Sequence, residues 1–531
     1  MGFEVIGEKV DFNFMCCKDK GEGAEYPYHN VKDFGAVGDG ESSDAEAIQA
    51  ALDQAKLSAN GAVVIIPDGT YLISEHLSIY SNTALRVNPN ARIIRDHEGY
   101  LIMNGDRDKN YYGYEGEENI EISGGVWDQN AAEYGQAIAF SIGHGKYISI
   151  RDLTIKNVPG SHAIEINSSR NVTVSNCKFL GFKDPGGREF SEAIQIDLAR
   201  EEGVFPPFGA YDYTPCKKIT ITKCYFGKSA TEGPWGRAIG SHSATIGRWH
   251  EDIIITDNMM EDISLQAIRS YSWKRVVVAN NSFINCGGAV GIYPPLLSKP
   301  QDTKDDQGNQ TNQSQPCEQY VISNNSIWGG LSYSPGISIS GQDANGTIMD
   351  VTVTGNIISH AAGNSGGIYM NNAEKVNVTG NNISAINSYG ISGSNGQLFT
   401  VESNILRDIK SEGIVMKDAV EQVTIAGNQL KNIDHSGINV TDKVSMVVVS
   451  NNNILNANRK HVLDAQHIRI TNNVARVSLT NNVCYQDPDE EATEGLRITR
   501  TVTKLVRTGN NFADLPLLDT SNSLVGVDLE G

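Results

Sequence analysis

One short pattern returns along this chain at almost constant spacing, and it leaves few folds open. It appears as NVTVSNCKF (171–179), DIIITDNMM (252–260), RVVVANNSF (275–283) and QYVISNNSI (319–327). It continues as DVTVTGNII (350–358), KVNVTGNNI (375–383), QVTIAGNQL (422–430) and MVVVSNNNI (446–454). Each copy is a β-branched run with period-two alternation, a polar turn, and a further apolar residue. The turn asparagines Asn356, Asn381, Asn404, Asn428 and Asn452 follow one another at 25, 23, 24 and 24 residues. A strand-bearing repeat this short cannot bury its own apolar face and must stack on its neighbours. The spacing predicts an all-β, single-stranded, right-handed parallel β-helix in which turn asparagines stack as ladders. About a dozen coils at roughly 4.8 Å each give a rod on the order of 60 Å long. A leucine-rich repeat would show a leucine framework that is absent, and a propeller blade needs roughly 40 residues or more.

The open end of such a rod is an aggregating edge, and the sequence supplies a cover. SSDAEAIQAALDQAK (42–56) reads as an amphipathic helix with Ala47, Ile48, Ala51, Leu52 and Ala55 on one face. Ser43 and Glu46 have the spacing of a capping box. NVKDFGAVGDGESSDAEAIQAALDQA followed by GAVVIIPDGTYLI (61–73) resembles the opening of the pectate-lyase-like superfamily, which includes polygalacturonase-like hydrolases, uronan lyases and epimerases, and phage tailspike depolymerases. With the coil pattern, the resemblance covers residues 28–485. It leaves 1–27 as an N-terminal arm and possible attachment segment, and 486–531 as a C-terminal coil and tail. It implies the fold but not the reaction, because this fold hosts several chemistries and non-enzymes.

A second repeat varies where the first is constant. SHAIEIN (161–167), SEAIQID (191–197), GRAIGSH (236–242) and LQAIRSY (265–271) keep an Ala-Ile pair and change the residues after it. Strict alternation puts the isoleucines inside and leaves two outward columns. One holds Glu165, Gln195, Gly240 and Arg269; the other holds Asn167, Asp197, His242 and Tyr271, continued by Tyr293 in GGAVGIY (287–293). Later coils are bland at this position, and the long insertions 198–218, 228–236, 243–251 and 294–317 cluster around the reactive ones. Loops over a rigid scaffold are where function concentrates. Trp235, Trp249, Trp273 and Tyr211 in and beside these insertions offer walls for sugar rings, and with Asn167, Gln195, Arg237 and Tyr293 they form the expected substrate contacts.

Two chemistries fit these columns. Glu165 and Asp197, on adjacent coils, match the paired carboxylates of glycoside hydrolysis, with Glu192 able to replace either. The resemblance to tailspike hydrolases adds to this reading. Alternatively, β-elimination or epimerisation of a uronic acid would use Arg269 or Asn167 to neutralise the sugar carboxylate, His242 as base and Tyr271 as acid. A third reading is a glycan-binding adhesin without catalysis. A lone outward carboxylate on a strand is usually just solvated, so the clustering carries the weight. His162, at a turn before its strand, reads as structural, as does the GHG at 143–145.

The net charge of −20 argues against nucleic acid, whose phosphates need Lys and Arg. It also weighs lightly against a strongly anionic polymer and towards hydrolysis, an inference that a local basic patch would overturn. No segment has the apolar length to span a bilayer, and the first residues lack the pattern of a signal peptide. The eight cysteines show no metal-ligand spacing. No cofactor is expected, Ca²⁺ being the one ion the carboxylates would suit. A glycan-active β-helix without a signal peptide fits a virion tail or a protein released outside the cell, and the tailspike resemblance implies a homotrimer attached to a phage tail.

Overall fold

The computed structural model describes residues 26–521, apart from 59, 108, 203–204, 206–208, 343–344, 489–492 and 514. The N-terminal arm expected over 1–27 therefore lies almost wholly outside the described residues. The chain winds as a parallel β-helix whose strands pair in register with those one coil away, as in Val351↔Val376 and Val376↔Phe399. One sheet has sixteen strands in strict order along the rod. That is more coils than the repeat alone indicated, because the first coils, from Asp39 onward, lack the asparagine motif. At about 4.8 Å per coil the rod is on the order of 75 Å long.

The interior is a single apolar column of Ile, Val, Leu and Phe that runs the length of the rod. Helix α1 (Ala45–Lys56) closes its N-terminal end with Ala45, Ile48, Ala51, Leu52 and Ala55 buried. The capping box expected from Ser43 and Glu46 does not form, because the helix starts one residue later. Asp44 takes the cap position without a side-chain cap bond, and its carboxylate accepts N–H bonds from Val37 and Gly38 instead. The carboxylate thus ties the preceding glycine turn to the helix.

The asparagine ladder is continuous from Asn258 through Asn281, Asn325, Asn356, Asn381, Asn404, Asn428, Asn452 and Asn482 to Asn510. Each Oδ1 accepts both the backbone N–H and the amide of the preceding member, as Asn404 does from Asn381. Each Nδ2 also donates to a strand carbonyl one coil back, as Asn404 does to Val378. Buried amides are tolerable only when paired this fully. Cys224 and Cys177 hold the two positions before Asn258: the Cys224 N–H donates to Asn258, and both thiols point at the same class of carbonyl. The described cysteines are buried and unpaired.

Candidate functional site

Seven strands on neighbouring coils form the floor of a cleft: β1 (Phe140–Gly143), β2 (Ile164–Asn167), β3 (Glu192–Asp197), β4 (Arg237–Gly240), β5 (Gln266–Tyr271), β6 (Gly288–Tyr293) and β7 (Ile337–Ser340). Their register is the one alternation demanded. Glu165 pairs with Gln195, Asn167 with Asp197, Gln195 with Gly240, and Gly240 with Arg269.

The Ala-Ile pair explains a third column that alternation alone hid. Ala163 and Ile164, Ala193 and Ile194, Ala238 and Ile239, and Ala267 and Ile268 are all fully buried in the core. Two successive residues cannot both face inward along a straight strand, so each coil turns a corner there. The residue before the alanine is thereby put on the outer face, and His162, Glu192, Arg237 and Gln266 line the cleft. Alternation counted from the isoleucine makes His162 a turn residue; the small alanine fixed beside it is the signal that marks the corner.

The cleft has a volume of about 810 Å³ and runs about 30 Å across these coils, room for several sugar rings. Of the expected residues, Glu165, Glu192, Gln195, Arg237, His242, Arg269 and Tyr293 line it. Alongside them stand Arg188, Phe190, Lys299, Asp302 and Tyr333 from the loops, which the strand columns did not reveal.

Other expected residues are sealed beneath or beside it. Trp235 and Trp273 have no exposed surface, so they are not sugar platforms. Trp235 donates to Phe179 O and Trp273 to Ser241 Oγ, and both anchor the coils from within. Trp249 donates to Pro316 O and pins an insertion. Tyr211 packs against Met103 and Phe205 and does not line the cleft. Asn167 and Asp197 are fully buried. Asp197 accepts from Gln195 Nε2 at 3.0 Å and from Leu198 N at 2.9 Å. Tyr271 is also fully buried; its hydroxyl donates to Asp302 Oδ2 at 2.8 Å and accepts from Leu296 N at 3.0 Å. Arg200 completes this latch on the 294–317 insertion with a 2.8 Å ion pair to Asp302. His144 of the GHG turn bonds Gly113 O at 2.9 Å, outside the cleft.

Two carboxyl groups on adjacent coils sit in opposite electrostatic settings. Burial, and then the charge of Asp197, push Glu165 up to about 8, against the opposing hydrogen bonds of Asn167 and Ser141; its Oε2 accepts from Ser141 Oγ at 3.2 Å. Glu192 is equally buried, yet the charge and hydrogen bond of His242, with His162 and Arg237 behind them, outweigh the burial and hold it at about 2. His242 Nδ1 lies 3.2 Å from Glu192 Oε2, and Glu192 Oε1 has no hydrogen-bond partner. Burial opposes protonation of His242, but Glu192 carries the imidazole above its ordinary value. Burial lowers His162 to about 4, so it stays neutral. Burial raises Asp197 to about 6. Gly240 makes this arrangement possible, since a Cβ there would lie 3.2 Å from Glu192 Cγ and 3.0 Å from Arg269 O.

Residues 28–121 match the family described as rhamnogalacturonase A/epimerase, pectate lyase-like, and residues 308–454 match the right-handed β-helix region. The chain is a right-handed parallel β-helix protein that resembles the pectate-lyase-like group over the first of these segments. Neither match reaches the strands that carry Glu165, Glu192 and Arg269, so the β-helix family does not by itself give the reaction. Over 279 residues the β-helix is 34% identical to plasmin and fibronectin-binding protein A of Streptococcus pneumoniae, covering 48% of this chain and 39% of that one. It spans less than two fifths of the length of the curated relatives it matches. The solved S. pneumoniae surface protein and adhesin PfbA superimposes with a TM-score of 0.55 at 25% identity, over 79% of this chain and 99% of that one. The tailspike of E. coli bacteriophage HK620, solved with a pentasaccharide, shares the fold at a TM-score of 0.50 and 14% identity, over 94% of this chain and 78% of that one. Its likenesses thus run to a rhamnogalacturonase/epimerase family, a bacterial surface adhesin and a phage tailspike. No group of three or more His, Cys, Asp or Glu suited to a metal occurs among the described residues, and none of their helices is long and apolar enough to cross a membrane.

Proposed function

We propose that this protein is a glycoside hydrolase that cleaves a surface polysaccharide in the cleft, with Glu165 as general acid and Glu192 as its partner. The observation that carries this reading is the placement of these two carboxyls on adjacent coils of one cleft, one held protonated and the other ionised. Environments that drive two titratable groups apart assign acid and base. Glu165 gives its proton to the leaving glycosidic oxygen as the C–O bond breaks. Glu192, through its unpartnered Oε1, takes a proton from the water whose oxygen bonds to the anomeric carbon. Asp197, beneath the floor, acts through Glu165 and Gln195 as a positioning residue.

The elimination reading is weaker on the same geometry. A base must start unprotonated, whereas Glu192 favours the protonated form of His242. The acid it needs, Tyr271, is sealed under the 294–317 insertion and pushed far above its ordinary value by burial and Asp302. A non-catalytic adhesin is favoured by the similarity to the streptococcal protein. A place outside the cell or on a surface suits all of these readings, and a phage tail with a homotrimeric spike is the finer form of it, checked by sedimentation of the full chain.

The test is to incubate the protein with polysaccharide-rich cell envelopes and follow product mass and ultraviolet absorbance. Hydrolysis gives fragments one water heavier than the repeat sum, without absorbance, and Glu165→Gln or Glu192→Gln lowers the rate by about a hundredfold or more. Unsaturated, absorbing fragments overturn the assignment in favour of a lyase. Retention on envelopes without any product favours the adhesin.

A further inference from the structure

His162 lines the cleft on the coil of Glu165, and the register of Ile164 with Ile194 sets it one coil before Glu192. The two imidazoles beside Glu192 are held in different ways. His242 Nδ1 answers the carboxylate at 3.2 Å. His162 Nδ1 lies 3.8 Å from the same Oε2 but 2.8 Å from the main-chain oxygen of Glu192, so the main chain takes its hydrogen bond. A carbonyl oxygen only accepts. The proton of neutral His162 is therefore on Nδ1, and Nε2 carries a lone pair. The residue is 3% exposed, and among the described residues nothing bonds its Nε2. Burial lowers the ring to about 4 against the pull of Glu192, with the charges of His242 and Arg188 adding to the fall. The lone pair therefore persists through the neutral range.

A water molecule that attacks an anomeric carbon has two hydrogens to place, and its oxygen lone pair must face the sugar. Glu192 Oε1 is open to one hydrogen. The cations around it cannot hold the other: Arg188, Arg237 and Lys299 line the cleft and, with protonated His242, offer only N–H groups. We infer that His162 Nε2 accepts the second hydrogen of the attacking water and so aims its oxygen at the anomeric carbon beside Glu192. The atoms balance without a charge on His162. The water oxygen bonds to the anomeric carbon as the C–O bond to the leaving sugar breaks, and one proton passes to Glu192. The proton of Glu165 goes to the leaving oxygen, and the hydrogen facing His162 stays on the new hydroxyl. This inference rests on the hydrolase reading for the reaction, but not for the tautomer of His162. It gives a chemical task to a residue whose place at a turn reads as structural.

The experiment replaces His162 in the full chain with Asn and with Gln, and follows reducing ends released from polysaccharide-rich cell envelopes. An asparagine amide nitrogen falls where Nδ1 stood and keeps the bond to the Glu192 carbonyl, but the side chain stops short of Nε2. A glutamine reaches that place and can present an oxygen there. His162→Asn should melt with the wild type and lose about tenfold or more in kcat, with KM little changed. His162→Gln should recover part of the loss. Wild-type kcat in His162→Asn overturns the proposal, as does a loss carried by KM alone or one matched by a fall in Tm, which marks a structural role. The tautomer is read independently, by NMR of the wild-type chain isotope-labelled at histidine and free of polymer. The His162 ring should be neutral and protonated on Nδ1 from about pH 5.5 to pH 8. A proton on Nε2, or a ring that charges within this range, overturns the proposal whatever the activity. Unsaturated fragments, or none, from the wild type remove the hydrolase reading and this step with it, whereas cleavage indifferent to His162→Asn removes the step alone.

Discussion

Replacing Glu165 with Gln should destroy activity and yet stabilise the protein, increasingly so as the pH rises. The carboxyl is 2% exposed and is raised from 4.5 to about 8 in the folded chain. A group raised by folding contributes stability that is fully present below its unfolded value and lost as the pH climbs to its folded one. At about 1.4 kcal/mol per pH unit, the loss is about 3 kcal/mol by pH 7 and about 5 kcal/mol by pH 9. An amide of the same shape has no such dependence. Subtracting one protein from the other therefore isolates Glu165 from every other titrating group. For a chain of 531 residues, an unfolding entropy of about 1 kcal/mol/K turns 5 kcal/mol into a Tm difference of about 5 °C. Calorimetric scans of both proteins at pH 5 and pH 8.5 should show the variant gaining several degrees on the wild type between the two. A Tm difference that stays flat within about 1 °C, or a variant that loses ground at high pH, would refute the claim that Glu165 is held protonated by burial and Asp197.

Related measurements probe the rest of the site. Cleavage should fail on the alkaline side near pH 8 as Glu165 ionises, and Asp197→Asn, by removing the charge that helps raise Glu165, should move that limb to lower pH in a pH–rate profile. Gly240→Ala places a methyl against Glu192 and the Arg269 carbonyl, and should lower kcat/KM about tenfold or more, since positioning errors of about 1 Å are costly. Tyr271→Phe removes the hydroxyl that joins Asp302 to Leu296. It should cost about 1–3 kcal/mol and make residues 294–317 more sensitive to limited proteolysis, while catalysis persists with a raised KM.

The fold was legible because its governing quantity is a period. Residues spaced by one coil face the same neighbours, so Asn356, Asn381, Asn404, Asn428 and Asn452 declare the architecture on their own. The register of the cleft came from the same logic, and Glu165, Gln195, Arg269 and Tyr293 stand in the columns alternation gives them. What escaped were departures from regularity. The corner at each Ala-Ile pair reverses the phase, and counting by twos cannot cross it, so His162 and Gln266 were missed, while Glu192 and Arg237, expected at the site, stand outside the two columns. Trp235 and Trp273 looked like loop aromatics because nothing local distinguishes a tryptophan that folds back into the core from one that stays out. Lys299 and Asp302 reach the cleft from an insertion whose path depends on a latch to Arg200 and Tyr271, residues about 100 and 31 positions away. The ladder itself runs further than the motif suggested, because Cys177 and Cys224 occupy its first rungs with thiols in place of amides.

The ladder also gives the molecule a quantised length. From Asn404 to Asn428 is one closed turn of chain, 24 residues, ending on the surface from which it began. Removing residues 405–428 brings together two faces already shaped for such a partner, and the rod shortens by about 4.8 Å while the cleft, whose last strand lies three coils away, is untouched. Reach and chemistry are therefore separately adjustable. The C-terminal coils act as a ruler graduated in turns, setting how far the cleft stands from the last coil of the rod.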